Sequence, residues 1–320
     1  MSRRALVTGA AGFVGQWLCR ALLADGWDVV GAGVAAVPAG GILSEDEKRS
    51  ITWVLADVRH QAEIARAFEQ ARPEAVFHLA GVSSIPDAQG DPSLAYEINV
   101  LGAARLLHEV RVRRRAGDID PVVLVVGSAA QYGRVLEQRP LRESDSQRPM
   151  SVYAASKAAQ EVVALEASRS EGVRVVATRS FNHSGPGQAA DFLLPALVHR
   201  VLAIRDGTDK VLRIGNADTV RDFLHVRDVV RAYLALVESG VAGEVYNVCS
   251  GEGTRTRDLA KRVLAAAGVN AAVEIEPALV RRVEVPWLVG DPAKVRSATG
   301  WAPTLSCNDI IDDLINAASF

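Results

Sequence analysis

The stretch Arg4-Ala-Leu-Val-Thr8, followed at once by Gly9-Ala-Ala-Gly12-Phe-Val-Gly15, decides the fold. The first part reads as a short buried strand. Trp17, Leu18, Ala21 and Leu22 then form the apolar stripe of a helix. Glycines at a strand-to-helix turn let the main chain approach a pyrophosphate. That group sits where the unpaired N–H groups of the helix N-terminus converge. The spacing is Gly-x-x-Gly-x-x-Gly, not the Gly-x-Gly-x-x-Gly of the ordinary dinucleotide fingerprint. A glycine turn without a ligand is the competing reading, and the strand–loop–helix context weighs against it.

Outward from this unit, strands and helices alternate at the rhythm of a parallel sheet. Further strands are expected over residues 28–33, 52–56, 75–80, 121–127 and 173–178. Helices are expected over 62–71, 92–115 and from Tyr153 to about residue 171. The run at 121–127 is continuously apolar, as for a strand buried on both sides. Near residue 179 the alternation breaks. Residues 181–188 read as a loop by composition, and 215–221 and 283–291 as polar loops. The expected architecture is an α/β, doubly wound parallel sheet over residues 1–178, with a smaller α/β lobe over 179–320. The chain is free to cross between the two more than once.

At 320 residues, 49% apolar and 23% charged, the composition is that of a globular protein. A net charge of −2 gives no reason to expect nucleic acid or a membrane surface as partner. The basic run Arg111–Arg115 stands at an expected helix end, where it favours the helix dipole and reads as a solvated face. Cys19, Cys249 and Cys307 are far apart, with no metal-ligand spacing. They fit reduced thiols in a cytoplasmic protein. No metal is expected, and neither a leader peptide nor a membrane span is read.

Ser151-Val-Tyr153-Ala-Ala-Ser-Lys157 brings chemistry to this scaffold. A spacing of four puts Tyr153 and Lys157 on one helix face. A free phenol, with a pKa of about 10, is a poor proton carrier near neutrality. A neighbouring ammonium favours the phenolate and draws that value down. The pair alone is a weak pattern; Ser128 and the glycine loop upstream give it weight.

Taken in order, Gly9-x-x-Gly12-x-x-Gly15, Asp57-Val58, His78-Leu79-Ala80-Gly81, Asn99, Ser128, Tyr153-x-x-x-Lys157 and Arg221-Asp222-Phe223 resemble the extended short-chain dehydrogenase/reductase superfamily across essentially the whole chain. The resemblance implies a catalytic set of Ser128, Tyr153 and Lys157. It implies cofactor contacts from Gly9, Gly12, Phe13, Val14, Gly15, Asp57, Val58, Leu79, Ala80, Asn99, Tyr153 and Lys157. Asp57 and Val58 would meet the adenine, and Asn99 would support the helix bearing Tyr153. Without the resemblance, Asp57 reads equally well as a helix N-cap, Asn99 as a solvated helix residue and His78 as a core histidine.

Within the superfamily, Thr178-Arg-Ser-Phe-Asn-His-Ser-Gly-Pro-Gly-Gln188 is similar to the Arg-x-Phe-Asn-His-x-Gly-Pro-Gly-Gln segment of GDP-6-deoxy-mannose reductases. These reduce the 4-keto group of GDP-4-keto-6-deoxy-mannose, and the likeness implies the same reaction here, with GDP-D-rhamnose as the expected product. The likeness places Ser128, Asn182, Gln188, Arg221, Arg281 and Glu284 around a sugar nucleotide. Guanidinium groups offer paired donors to a diphosphate. Related dehydratases carry acidic residues just after the catalytic Thr. Here Ser128-Ala-Ala-Gln131 follows instead, which argues against dehydration. Reduction of a dTDP-linked 4-keto-6-deoxy sugar and sugar-nucleotide 4-epimerisation stay open, with a non-catalytic dinucleotide-binding regulator as the remote alternative. The superfamily's usual homodimer would pair helices near residues 92–115 and 153–171. Residues 30–37 hold neither a carboxylate to read a ribose hydroxyl nor an arginine to grip a 2′-phosphate. Both NADH and NADPH are therefore expected to serve, with a shallow preference for NADPH.

Overall fold

The computed structural model describes residues 2–35, 37–135, 137–280 and 284–318. Strand β1 (Arg4–Thr8) feeds α1 (Phe13–Ala24), and β2 (Asp28–Gly33) returns parallel beside β1. After α2 (Glu45–Ser50) come β3 (Thr52–Leu55), α3 (Gln61–Ala71) and β4 (Ala75–His78). Helices α4 (Ile85–Gly90), α5 (Pro92–Tyr96) and α6 (Gly102–Arg115) lead to β5 (Val122–Ser128). Then α7 (Val152–Glu171) leads to β6 (Val175–Ser180). These strands lie parallel in the order β3-β2-β1-β4-β5-β6, the doubly wound Rossmann arrangement. The order reverses between β1 and β4, so a ligand crevice opens there, beyond the carboxyl ends of the strands.

The second half begins with β7 (Asn182–Ser184), α8 (Leu193–Arg205), β8 (Val211–Ile214) and β9 (Val220–His225). It continues through α9 (Val226–Ser239), β10 (Val245–Val248), β11 (Gly253–Arg255), α10 (Thr256–Ala266) and β12 (Ala272–Ile275). It closes with β13 (Trp287–Leu288), α11 (Ala293–Thr299) and α12 (Cys307–Ala318). Strand β10 crosses back and pairs with β6, making the large sheet seven-stranded. Leu18 and Leu22 of α1 share one face of that sheet with Val229 and Tyr233 of α9 and Val295 of α11. Ile64 and Phe68 of α3, Leu106 and Val110 of α6 and Ala164 of α7 cover the other. With both faces covered, β4 is buried throughout, as parallel strands require. Leu197, Val201, Leu259, Val263 and Ile310 build a separate core among α8, α10 and α12.

Four sequence expectations are corrected. Residues 220–225 are a strand in which every residue is buried, not the end of a polar loop. Part of the 181–188 segment is β7, paired parallel with β9, and β13 lies within the expected loop at 283–291. The Arg111–Arg115 run does end α6, but it is laced into ion pairs, Arg111 with Glu166 and Arg113 with Glu109, and is not simply solvated. Strand limits also move: β4 stops at His78 and β6 starts at Val175. Among the described residues, no helix is long and apolar enough to cross a membrane.

Candidate active site

Where β1 turns into α1, Gly9 adopts a left-handed φ of 72°, and a Cβ there would lie 2.9 Å from the Ala80 nitrogen. A Cβ on Gly15 would fall 2.2 Å from the Gly9 carbonyl oxygen. Only glycine lets the loop, the first helical turn and the end of β4 pack this closely. Gly12 takes the N-cap position of α1 with no side-chain cap, which leaves the first N–H groups of the helix open to an anion. The Phe13 ring turns away and stacks on His183 at 6.3 Å, while Val14 packs against the core. The cradle left by the glycines fits a dinucleotide pyrophosphate.

Asp57, beyond β3, caps no helix. The N-cap of α3 is His60. The Arg59 guanidinium beside Asp57 holds its carboxyl below the usual carboxylate range. Ala56 N–H donates to the Gly33 carbonyl, so this segment lies along the end of β2 and brings Arg59, which the sequence reading passed over, to that edge. Val58 is buried, its side chain closing on Gly102.

Beyond β4, Leu79 and Ala80 are partly buried against the cores on either side of the sheet, and Gly81 follows. A Cβ on Gly81 would lie 2.7 Å from Asn99 Oδ1 and 3.3 Å from Lys157 Nζ, so the glycine lets both side chains converge on this loop. Asn99 sits in a π-helical turn, Glu97–Leu101, between α5 and α6. Such turns re-aim a side chain within an otherwise regular helix. Fully buried, it accepts from Val82 N–H at 2.8 Å and donates to Ser156 Oγ at 2.8 Å. It thus fastens the β4 loop to α7. It is no solvated helix residue.

Helix α7 starts where Ser151 accepts from Ala154 N–H and stops at Gly172 in the left-handed region. Lys157, on its buried face, donates to the Val126 carbonyl at 2.9 Å and to Gln160 Oε1 at 3.0 Å. Burial lowers its pKa to about 8. Burial raises the Tyr153 phenol above its ordinary value, and a hydrogen bond with the Ser128 side chain opposes the rise. The Ser128 hydroxyl therefore favours Tyr153 ionisation, in addition to the Lys157 effect expected from the spacing. His78 is a core histidine. Nδ1 lies 2.9 Å from Thr8 Oγ1, and desolvation with the nearby Lys157 charge holds its pKa at about 3. Its Nε2 has no protein partner.

Strand register carries the site into the second half. Ser128 pairs with Ser180, so Asn182 stands just past the same edge. Asn182 in turn pairs with Phe223, which puts Arg221 two residues away on β9. Arg221 is buried and ion-paired with Glu284. The next residue, Asp222, is fully buried and accepts from Ser250 N–H, Gly251 N–H and Gly290 N–H. It gathers two loops around β9. The Gln188 amide is spent on its own segment, accepting from Ser184 Oγ and donating to the His183 carbonyl, a self-closing role the sequence did not suggest. Arg281 lies outside the described residues. After Ser128, Ala129 is buried and Gln131 points inward, so no carboxylic acid follows the serine as in the dehydratase arrangement.

The profile of the family described as GDP-mannose 4,6 dehydratase matches residues 6–314. A GDP-6-deoxy-D-mannose reductase from Pseudomonas aeruginosa is 34% identical over 96% of this chain and 94% of its own. A UDP-glucose 4-epimerase from Mycolicibacterium smegmatis is 30% identical over 95% of this chain and 94% of its own. The solved structure of RMD from Pseudomonas aeruginosa complexed with NADPH superposes with a TM-score of 0.82 at 31% identity. It covers 99% of this chain and all of that one. The chain belongs to the GDP-mannose 4,6-dehydratase family, within the oxidoreductases of the short-chain dehydrogenase/reductase superfamily.

Proposed function

We propose that this protein reduces the 4-keto group of GDP-4-keto-6-deoxy-D-mannose, giving GDP-D-rhamnose. The observation that carries the reading is the Ser128–Tyr153 hydrogen bond, at the carboxyl-end side of the same parallel sheet as the glycine cradle, with no acid on the residues directly after Ser128. The 34% identical reductase supports the substrate class.

When bound, the reduced nicotinamide supplies hydride to C4 of the keto sugar. Tyr153 gives its proton to the oxygen that becomes the hydroxyl. Ser128 hydrogen-bonds that same oxygen and stabilises charge where it develops. Lys157 holds the nicotinamide ribose beside Asn99, and Gly9, Gly12 and Gly15 admit the pyrophosphate. Asp57 and the Val58 main chain take the adenine end. Arg221 and Arg281 grip the substrate diphosphate, Glu284 takes the nucleotide ribose, and Asn182 faces the sugar. In this division residues 1–178 bind the cofactor, and most of 179–320 bind the sugar nucleotide. A 4-epimerase reading draws support from the 30% identical epimerase and uses the same three residues, with its cofactor retained oxidised.

The protein works as a homodimer through α6 and α7. The support is the apolar surface these helices leave: Val162 is 65% exposed and Val112 48%. Dependence on reduced nicotinamide, with three unpaired thiols, suits the cytoplasm. The function is tested by following NADPH consumption with GDP- and dTDP-linked 4-keto-6-deoxy sugars. Faster turnover of the GDP substrate is expected. Preference for the dTDP sugar would move the assignment to the second nucleotide.

A further inference from the structure

The strand end carrying Ser128 is held from behind by one side chain that the proposed chemistry does not use. Gln131 is fully buried. Its Oε1 accepts from Ser128 N–H at 2.8 Å, and its Nε2 donates to Glu161 Oε2 at 2.8 Å. Glu161 stands on α7, one turn beyond Lys157 and on the same face. Its carboxylate takes a two-pronged ion pair from Arg179 of β6, at 2.9 Å from Nε and 2.7 Å from Nη2. Both partners are more than nine-tenths buried. Arg179 is fixed in turn by the Glu143 carbonyl and by the Tyr132 ring, 4.7 Å away. Gly127 makes the path possible: a Cβ there would stand 2.6 Å from Gln131 Oε1.

A short helical turn after Ser128 would account for the bond to its N–H as simple capping. Capping does not account for the other end of the amide, which reaches a carboxylate thirty residues away in the core. A buried amide satisfied at both ends has one allowed placement, because losing either bond leaves an unpaired polar group. We infer that Gln131 is a positioning residue, tying Ser128 through the Glu161–Arg179 pair to the helix that presents Tyr153. The inference rests on the reductase reading for its kinetic consequences, but not for its geometry.

The test is a double-mutant cycle with Gln131→Met, which keeps length and removes both hydrogen bonds, and Ser128→Ala. Gln131→Met alone should lower kcat about 10-fold, the scale of a small misplacement of a reacting group, with KM little changed. In the Ser128→Ala background the same substitution should cost less than about 2-fold, because the group it positions is gone. An equal loss in both backgrounds would overturn the proposal and leave Gln131 a purely structural residue. A second readout needs no substrate. The Tyr153 phenol, isolated by subtracting the ultraviolet titration of Tyr153→Phe from that of the parent, should titrate higher in Gln131→Met because Ser128 is no longer held against it. Tyr233 senses the Tyr153 charge, so both titrations are run in a Tyr233→Phe background, and the neighbouring Lys157 does not absorb in this range. An unmoved phenol would count against the inference even if the reductase reading fails. If wild-type protein consumes no NADPH while the phenol moves, the reading fails and the inference stands. Should Gln131→Met not fold, Gln131→Asn, which keeps the amide but is one methylene too short to reach both partners, takes its place in the same cycle.

Discussion

The catalytic corner and the diphosphate corner are built in opposite ways. Around Ser128, Tyr153 and Lys157, the polar anchors come from the sheet, the turn that follows β5 and α7: Val126 and Gln160 for Lys157, Ser156 for Asn99, Gln131 for Ser128. That corner needs nothing from a ligand to hold its shape. Around β9, Arg221 and Glu284 are ion-paired with each other, so under the proposed assignment a sugar nucleotide would join or replace an existing ion pair. The contrast assigns turnover to the first corner and affinity to the second, and substitutions can separate the two.

The largest effect is expected at Tyr153. Tyr153→Phe should reduce kcat by about 10²-fold or more, the scale of a lost general acid, with KM for the sugar nucleotide nearly constant. Steady-state kinetics read both. A loss confined to KM would erase the distinction between the corners. Arg221→Ala should show the reverse. Losing a charge-assisted bond worth about 1.5–3 kcal/mol raises KM roughly 10- to 100-fold and spares kcat. Glu284→Gln should raise KM less, because it weakens the grip on Arg221 and keeps a polar partner. A fall in KM for Glu284→Gln would show instead that the ion pair competes with the diphosphate.

How much of each corner was legible in the sequence follows the same division. The parallel sheet and the glycine cradle announce themselves because their determinants are local: apolar runs, turn glycines, and a four-residue spacing on one helix. The first residues of β9 read as the end of a polar loop, and the strand went unseen because Arg221, Asp222 and His225 look like surface residues. Their partners Glu284, Gly290 and Asp313 lie 63, 68 and 88 residues away, and no local pattern reports such pairings. The family likeness placed Gln188 around the sugar nucleotide, although its amide closes its own loop. Gln131 passed unnoticed as a neutral amide after two alanines. Glu161, a carboxylate four residues past Lys157 and so on the same helix face, was the feature that could have signalled a buried polar partner.

A pH experiment tests how completely the catalytic corner is closed to water. Burial lowers the Lys157 pKa from 10.5 to about 8, so the native state binds fewer protons than the unfolded chain between those values. Stability rises with pH wherever the unfolded state holds more protons. The cost of the buried ammonium is thus full below pH 8 and is relieved as the pH climbs from about 8 toward 10.5. In urea unfolding, the stability of wild type relative to Lys157→Met should improve across that window. A flat difference would mean that Lys157 is solvated in solution.

The smallest effect is expected in cofactor choice. With no residue committed to the ribose at the end of β2, kcat/KM for NADPH should exceed that for NADH by only about 10-fold, roughly 1.4 kcal/mol. Arg59, bonded to Asp57 on the segment that Ala56 N–H ties to the end of β2, is the cation expected to supply that margin, and Arg59→Ala should remove it. A ratio above about 10³-fold would show a dedicated phosphate clamp.

Delivery of hydride to C4 with net consumption of the cofactor is the claim on which the rest depends. It is tested most directly with NADPH deuterated at the transferable position and GDP-4-keto-6-deoxy-D-mannose, by locating the label in the product. The account predicts one deuterium at C4 of a GDP-6-deoxyhexose for each NADPH consumed, lost in Tyr153→Phe. Recovery of the 4-keto sugar unchanged with NADPH unconsumed, or a reduced sugar with no deuterium at C4, would contradict it.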